Sequence, residues 1–312
     1  MKSLTQIFDL TAEEVFGIVR QAFVFKEKLE TGVRKENLLD GRGVALVFEK
    51  PSLRTKVAFE VATTSLGGIP VFLSSGQIFA SGGYEQGRES IPDIARNLER
   101  FTDLIIARVY RHETIQILAQ SISKPIINAL CDKHHPTQAL ADFMTIMWHK
   151  PAWQKMKVAF VGDGNNVATS LMQICALVGM HFSIASPPGY EIPKNECEKA
   201  IDMAKKTGVQ LEFFTDPREA VKQADVVYTD TFVSMGQEEE TAKRLKDFSE
   251  YQITDELLKT AKSDVIFMHC LPAHRGQEVT DEVMDGAHSV IFDQAECRLH
   301  IAKSLLAHYC RI

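Results

Sequence analysis

Along the whole 312-residue chain, short apolar runs alternate with stretches that repeat on a helical period. A strand that is followed by a helix and then by another strand returns to the same sheet in the same direction, so this alternation calls for parallel sheets covered by helices. In the first half the strand candidates are 44–48, 70–73, 103–109 and 125–128. Helical patterns fill 90–100 and 113–121, and the capping box Thr11-Ala12-Glu13-Glu14 opens a first helix that runs through 23–29. A helix over 138–149 closes at Lys150-Pro151, where a second series begins at 158–161, 181–185, 210–214, 225–229, 265–269 and 290–292. The expected fold is α/β, with two doubly wound domains that each have a central, mainly parallel sheet flanked by helices. A chain of this length suits two cores, divided as 1–149 and 150–294, with a final helix at about 295–312. There is no internal repeat or low-complexity tract.

The most unusual stretch is VALVFEKPSLRTKVAFEVATTSLGG, residues 44–68. It reads as a buried strand ended by Pro51, an N-cap at Ser52, and a helix whose inward face is Val57, Phe59, Val61 and Leu66 until Gly67-Gly68 stop it. A helix start normally prefers acids, because its free N–H groups and dipole make that end positive. Here the first turn carries Arg54 and Lys56 instead. Backbone N–H groups, the Ser52 and Thr55 hydroxyls and the Arg54 fork together make a cradle suited to phosphate. The plainer alternative is a capped surface helix with solvated cations.

Composition narrows the partners. A net charge of −6 gives no overall attraction to nucleic acid or to an anionic membrane, so the basic clusters must serve small local anions. No uninterrupted apolar run reaches membrane length, and the first residues lack a secretory leader pattern, which makes a cytoplasmic location the expectation. The six cysteines show no CxxC pairing and are expected as reduced thiols. His269, Cys270 and His274 lack a further ligand at a recognised spacing, so no metal is expected, and no organic cofactor either.

Further chemistry lies at predicted strand ends, where ligands bind in open α/β sheets. VAFVGDGNNVATSLM is a strand, a Gly-rich turn and a helix, but the third glycine of a dinucleotide fingerprint is Val167, and the next strand ends in Ser186-Pro187-Pro188 rather than an acid, which argues against NAD. Arg108 closes the strand DLIIARVY, and His135 and Gln138 lie in HHPTQ after the strand PIINAL. Asp230 ends DVVYTDTF, a place where a turn or cap residue is the ordinary reading.

These motifs, with FEKPSLRTKVAFE, the Ser234-Met235-Gly236 loop, MHCLPAHRGQEVTDEV and AECR, closely resemble the aspartate and ornithine carbamoyltransferases across nearly the whole chain. The Ser-Met-Gly and His-Cys-Leu-Pro loops match the ornithine branch. The resemblance implies transfer of a carbamoyl group from carbamoyl phosphate to the δ-amine of L-ornithine, giving citrulline and phosphate. It assigns carbamoyl phosphate to the first domain, joined by the C-terminal helix, and ornithine to the second.

By that resemblance Ser52, the Leu53 backbone, Arg54, Thr55 and Arg108 hold the phosphate, and Thr55, Arg108 and His135 hold the carbonyl oxygen. Pro136, Thr137, Gln138, Cys270, Leu271 and Arg298 complete the carbamoyl phosphate contacts. Arg108, His135 and Cys270 are the catalytic candidates, with the Cys270 thiol and Leu271 carbonyl presented to the reacting amine and the carbamoyl nitrogen. Asn166, Asp230, Ser234 and Met235 would bind ornithine, Asp230 through its α-amino group. The resemblance also implies a homotrimer with sites at subunit interfaces.

Three places depart from the family pattern. Lys56 replaces an arginine and Cys297 an asparagine. The segment 74–89 lacks the usual turn whose glutamine reaches a neighbouring subunit, leaving Gln77 and Gln86 both as candidates. A carbamoyltransferase for another amine such as putrescine, or a nonenzymatic small-anion-binding regulator on the same fold, are the rival readings. The Ser-Met-Gly loop disfavours the diamine, which has no carboxylate to bind.

Overall fold

The computed structural model describes residues 3–74, 89–233 and 237–310. They form two compact units, Met1–Met144 with Glu296–Ile312, and Thr145–Ala295.

The first unit is built on β1 (Gly43–Phe48), β2 (Ile69–Ser74), β3 (Leu104–Arg108) and β4 (Ile126–Leu130), all parallel in the order β2-β1-β3-β4. Its helices are α1 (Ala12–Glu30), α2 (Leu53–Ser65), α3 (Ile91–Phe101) and α4 (His112–Ser121), and α5 (Pro136–His149) begins in it. The chain leaves β1 toward β2, then crosses back over β1 to β3 and continues outward to β4. The direction of winding therefore reverses between β1 and β3, and a crevice opens at their carboxyl ends. Phe48 and Arg108 are register partners at that edge. The β3–β4 pairing slips by one residue between Ala107 and Arg108, an irregularity of the kind that re-aims a side chain at a sheet edge. Ala45, Val47, Ile105, Ala107 and Ile126 form the core with Ile115 and Leu118 of α4.

The second unit repeats the plan with β5 (Lys157–Val161), β6 (His181–Ala185), β7 (Leu211–Phe214), β8 (Val226–Thr229) and β9 (Ile266–His269), parallel in the order β7-β6-β5-β8-β9. Its helices are α6 (Asn166–Val178), α7 (Lys194–Thr207), α8 (Pro217–Val221), α9 (Thr241–Asp247), α10 (Asp255–Leu258) and α11 (Asp281–Met284). The winding reverses between β5 and β8, where Val161 and Thr229 are paired. Helix α12 (Ile291–Tyr309) follows, and from Glu296 onward it belongs to the first unit. There Ser304 Oγ donates to the Ile18 carbonyl of α1 at 2.7 Å, and Ile301, Leu305 and Leu306 are buried.

Two expectations need correction. The strand expected at 290–292 is the entry to α12: Ser289 makes one bridge to Phe267 and Val290 N–H donates to the Phe267 carbonyl, after which the chain turns helical. An apolar run this short fits strand and buried helix equally well. On α2, Phe59, Ala62, Thr63 and Leu66 form the inward stripe at spacings of three and four, whereas Val57 and Val61 fall off it and are exposed. Among the described residues, no helix is long and apolar enough to cross a membrane.

Candidate active site

In the first unit the crevice edge is lined from three directions. Pro51 stops β1, and Ser52, in extended backbone, caps α2 by accepting from the Thr55 N–H at 3.2 Å. This leaves the other free N–H groups of the first turn facing outward. Thr55 is buried, and its hydroxyl accepts from Arg298 of α12 at 2.7 Å, so Arg298 stands beside the cap. Leu53 is 75% exposed and can contribute only backbone. Lys56 has its ammonium 3.8 Å from the Phe72 ring centroid and 3.9 Å from Glu60, so its charge is taken up on α2 and β2.

Arg108 ends β3 and is 95% buried, and its Nε finds no hydrogen-bond partner among the described residues. Burial, then the charges of Arg298 and Arg54, lower its pKa to about 10. A buried cation without an acid is costly unless a ligand supplies the negative charge. His135 sits in the same group, with its Nδ1 3.3 Å from the Thr137 hydroxyl. Burial, followed by Arg298, Arg108, Lys50 and Arg54, holds its pKa well below the usual histidine range. It is therefore a neutral imidazole at neutral pH, able to donate a hydrogen bond without adding charge. Pro136 starts α5, and Gln138 donates to Asp142 at 2.8 Å while its buried Oε1 has no partner among the described residues. The structure thus brings Ser52, Arg54, Thr55, Arg108, His135 and Arg298 into one cationic group.

In the second unit the β5–α6 turn and the end of β8 meet. Gly164 is required there, because a Cβ would lie 2.2 Å from the backbone nitrogen of Ile192. Asn165 caps α6, its Oδ1 accepting from the Val167 and Ala168 N–H groups, while its Nδ2 donates to Asp230 Oδ2 at 2.8 Å. Asp230 Oδ1 accepts from the Thr231 N–H at 2.8 Å and from Cys270 Sγ at 2.9 Å. A carboxylate has about four lone-pair sites, so three bonds leave room for one more donor. Asn166, the residue singled out from the sequence, is the first of α6, and the direct link to Asp230 comes from its neighbour Asn165. Ser234 and Met235 lie outside the described residues, as do Gln77 and Gln86.

The loop carrying Cys270 and Leu271 is held from below. His269 and Glu278 are completely buried, 3.2 Å apart through Nε2 and Oε1. Since His269 Nδ1 accepts from the Leu271 N–H at 2.8 Å, the ring proton is on Nε2 and faces the carboxylate. Glu278 also accepts from the His274 N–H, Leu271 takes a positive φ of 58°, and the Leu271–Pro272 bond is cis. Asp230, His269 and Cys270 place ligand-type atoms within 4.8 Å of one another, but the Nδ1 lone pair is used by Leu271 and the thiol donates to Asp230. As arranged they form a hydrogen-bond network, and we assign them no metal.

Sequence reasoning missed Asn165, Arg244 and Glu278. An asparagine just before a helical run signals an N-cap, which could have drawn attention to Asn165. Arg244 looks like an ordinary helix charge, yet it is buried, bonded to Asp163 at 2.8 Å and to the Phe232 carbonyl at 3.0 Å. It thereby anchors the turn after β8 to the turn after β5. No local pattern marks Glu278.

The family models for aspartate/ornithine carbamoyltransferase match this chain twice: the carbamoyl-P binding domain over residues 2–148 and the Asp/Orn binding domain over residues 154–309. The chain belongs to the aspartate/ornithine carbamoyltransferase family. Within it the similar proteins carry the ornithine name: the ornithine carbamoyltransferase of Caldicellulosiruptor saccharolyticus is 45% identical over 310 residues, 99% of each chain. The structure of ornithine carbamoyltransferase from Pyrococcus furiosus superposes with a TM-score of 0.93 at 45% identity, covering 98% of this chain and 96% of that one. The anabolic enzyme from Campylobacter jejuni gives 0.91 at 38% identity, covering 99% of each.

Proposed function

We propose that this chain transfers the carbamoyl group of carbamoyl phosphate to the δ-amine of L-ornithine, releasing citrulline and phosphate. The observation that carries the reading is the buried Arg108, which is gathered with Arg54 and Arg298 at a helix N-terminus and is itself bonded to no acid among the described residues. Such a group needs a small, multiply charged anion, and an acyl phosphate fits it.

The residue roles are those the family resemblance implies, and the charge and geometry of the first unit's cationic group support the phosphate side of them. Ser52, the Leu53 backbone, Arg54, Thr55 and Arg108 hold the phosphate. Thr55, Arg108 and neutral His135 donate to the carbonyl oxygen, which becomes an oxyanion when the amine attacks, with Pro136, Thr137, Gln138 and Arg298 shaping that end. The buried Gln138 Oε1 is an acceptor for the carbamoyl NH2. In the second unit Asp230 takes the α-ammonium of ornithine with its remaining lone pair, and Asn166, Ser234 and Met235 complete the amino-acid site. Cys270 and the Leu271 carbonyl serve the reacting amine and the carbamoyl nitrogen. The uncharged δ-amine is the nucleophile, so the protein supplies positioning and preorganised charge. Residues 1–149, joined by the C-terminal segment from about 295 to 312, form the carbamoyl phosphate domain, and 150–294 the ornithine domain.

We place the reaction in arginine biosynthesis, in the cytoplasm, and the protein in a homotrimer with sites at subunit interfaces. Exposed Leu53, Val57 and Val61 on α2, with Ile69 and Val71 on the edge strand β2, support self-association of the first unit. Citrulline formation measured with ornithine, putrescine and N-acetylornithine in parallel tests the reading. Ornithine should be preferred by orders of magnitude; putrescine turned over equally well would move the assignment to a diamine enzyme.

A further inference from the structure

Lys50 lies between β1 and the phosphate loop and is 92% buried, yet among the described residues it makes no hydrogen bond and no ion pair. Its ammonium instead rests 5.0 Å from the centroid of the Tyr110 ring. The two nearby carboxylates are otherwise engaged. Glu49 accepts from the Tyr110 N–H at 2.7 Å and Asp132 from the His112 N–H at 2.7 Å. Lys50 stands close enough to His135 and Arg108 for their charges to interact. An ammonium with three donors and no protein acceptor, on a side chain this buried, is left available to an anion in the same pocket.

We propose that Lys50 is a further binding residue of the first unit, donating from its ammonium to the phosphate of carbamoyl phosphate; this rests on the anion-site reading of that unit. A structural lysine would be paired, whereas Lys50 has a largely buried side chain and no acceptor among the described residues. Its neighbours give the role a signature in pH. Burial, then the charge of Arg108, lowers the Lys50 pKa to about 8, with Cys131, Asp132 and Glu49 acting weakly the other way. Cys131 is itself pushed up to about 11 by burial and Arg108 titrates at about 10, while His135 is already neutral. Arg54 and the Tyr110 ring complete the surroundings. Between pH 8 and 9 Lys50 is thus the cation here whose charge changes most. Above pH 8 it must take up a proton to hold the anion, so affinity falls as pH rises, by up to about tenfold per unit.

The test is calorimetric binding of phosphonoacetamide, a hydrolysis-stable analogue of carbamoyl phosphate, to the full chain from pH 7.5 to 9. Wild type should bind more weakly as pH passes 8. Lys50→Met should weaken binding about 10- to 100-fold at pH 7.5, the scale of a lost charged hydrogen bond, and flatten the alkaline limb. Lys50→Arg should restore most of the affinity and also bind with a flat profile. A flat wild-type profile overturns the proposal without any variant, and so does Lys50→Met with wild-type affinity, or Lys50→Arg as weak as Lys50→Met. Failure of wild type to bind the analogue at all counts against the anion-site reading itself.

Discussion

At the carboxyl ends of β1 and β3 the first unit buries Arg108 with no acid bonded to it among the described residues, whereas at the ends of β5 and β8 the second unit ties the Asp230 carboxylate into three hydrogen bonds. Both crevices arise from the same topological reversal, so the difference comes from side chains. An acyl phosphate with two negative charges can repay the desolvation of buried cations. A zwitterionic amino acid brings one charge of each sign and is better met by a carboxylate already oriented and half satisfied. The first unit therefore carries its function as a cost to the ligand-free protein, and the second carries it as part of its own cohesion.

The sharpest way to break this comparison is to remove the central group from each side. Arg108→Met should lower kcat/KM for carbamoyl phosphate by about 10³-fold, the scale of losing a preorganised charged donor. It should also leave the ligand-free melting temperature unchanged or raised, because a buried unpaired cation has been replaced by an apolar chain of similar length. Asp230→Ala should cut activity through ornithine and at the same time lower the melting temperature, since Cys270, Asn165 and the Thr231 N–H lose their acceptor at about 1–3 kcal/mol for each buried group left unsatisfied. Opposite signs of the two thermal shifts, read by calorimetry without ligand, are the expected result; equal signs would dissolve the contrast.

A milder change separates binding from cohesion. Asp230→Asn keeps an acceptor for the neighbouring donors but removes the charge, and should weaken ornithine by about 2–5 kcal/mol. Carbamoyl phosphate affinity, measured separately, should hardly move.

Acid should act mainly on the first unit. His135 has its folded pKa below the unfolded value, so near pH 5–6 the unfolded chain binds the extra proton. The stability is complete above the unfolded pKa of about 6.5 and declines as pH falls beneath it. The His135 contribution appears as a shallower acid limb of melting temperature in His135→Asn than in wild type. At the small end, Lys56→Arg should alter carbamoyl phosphate affinity less than about threefold, because the position is engaged with Phe72 and Glu60 and an exposed i,i+4 pair is worth only a few tenths of a kcal/mol.

The parallel strands and the anion loop were legible because periodicity and helix-cap chemistry are local. β1 is an uninterrupted apolar run, and Ser52 sits three residues before the N–H it caps. What the residues alone hid depends on burial. Lys50, Arg244 and Glu278 read as surface charges, and only the folded chain shows that one has no acceptor among the described residues while the other two anchor loops. Asn165 was overlooked for its neighbour because the two asparagines differ only in which one caps α6. The entry to α12 was misread because three apolar residues contain no period.

The Ser304 to Ile18 hydrogen bond joins residues 286 apart in sequence. On the ribosome, a chain made from the amino end exposes the first sheet and α1 early, but their closing helix emerges only after the whole of the second unit has been synthesised. The unit that starts first is thus finished last, and α1 must wait with part of its apolar face uncovered. The intervening unit has all its own strands in hand and is free to complete itself meanwhile. Growth of the polypeptide therefore orders the two halves: the amino-acid-binding half matures before the one that gathers the cations, and nascent chains cut short before residue 296 lack the Arg298 partner of Thr55 altogether.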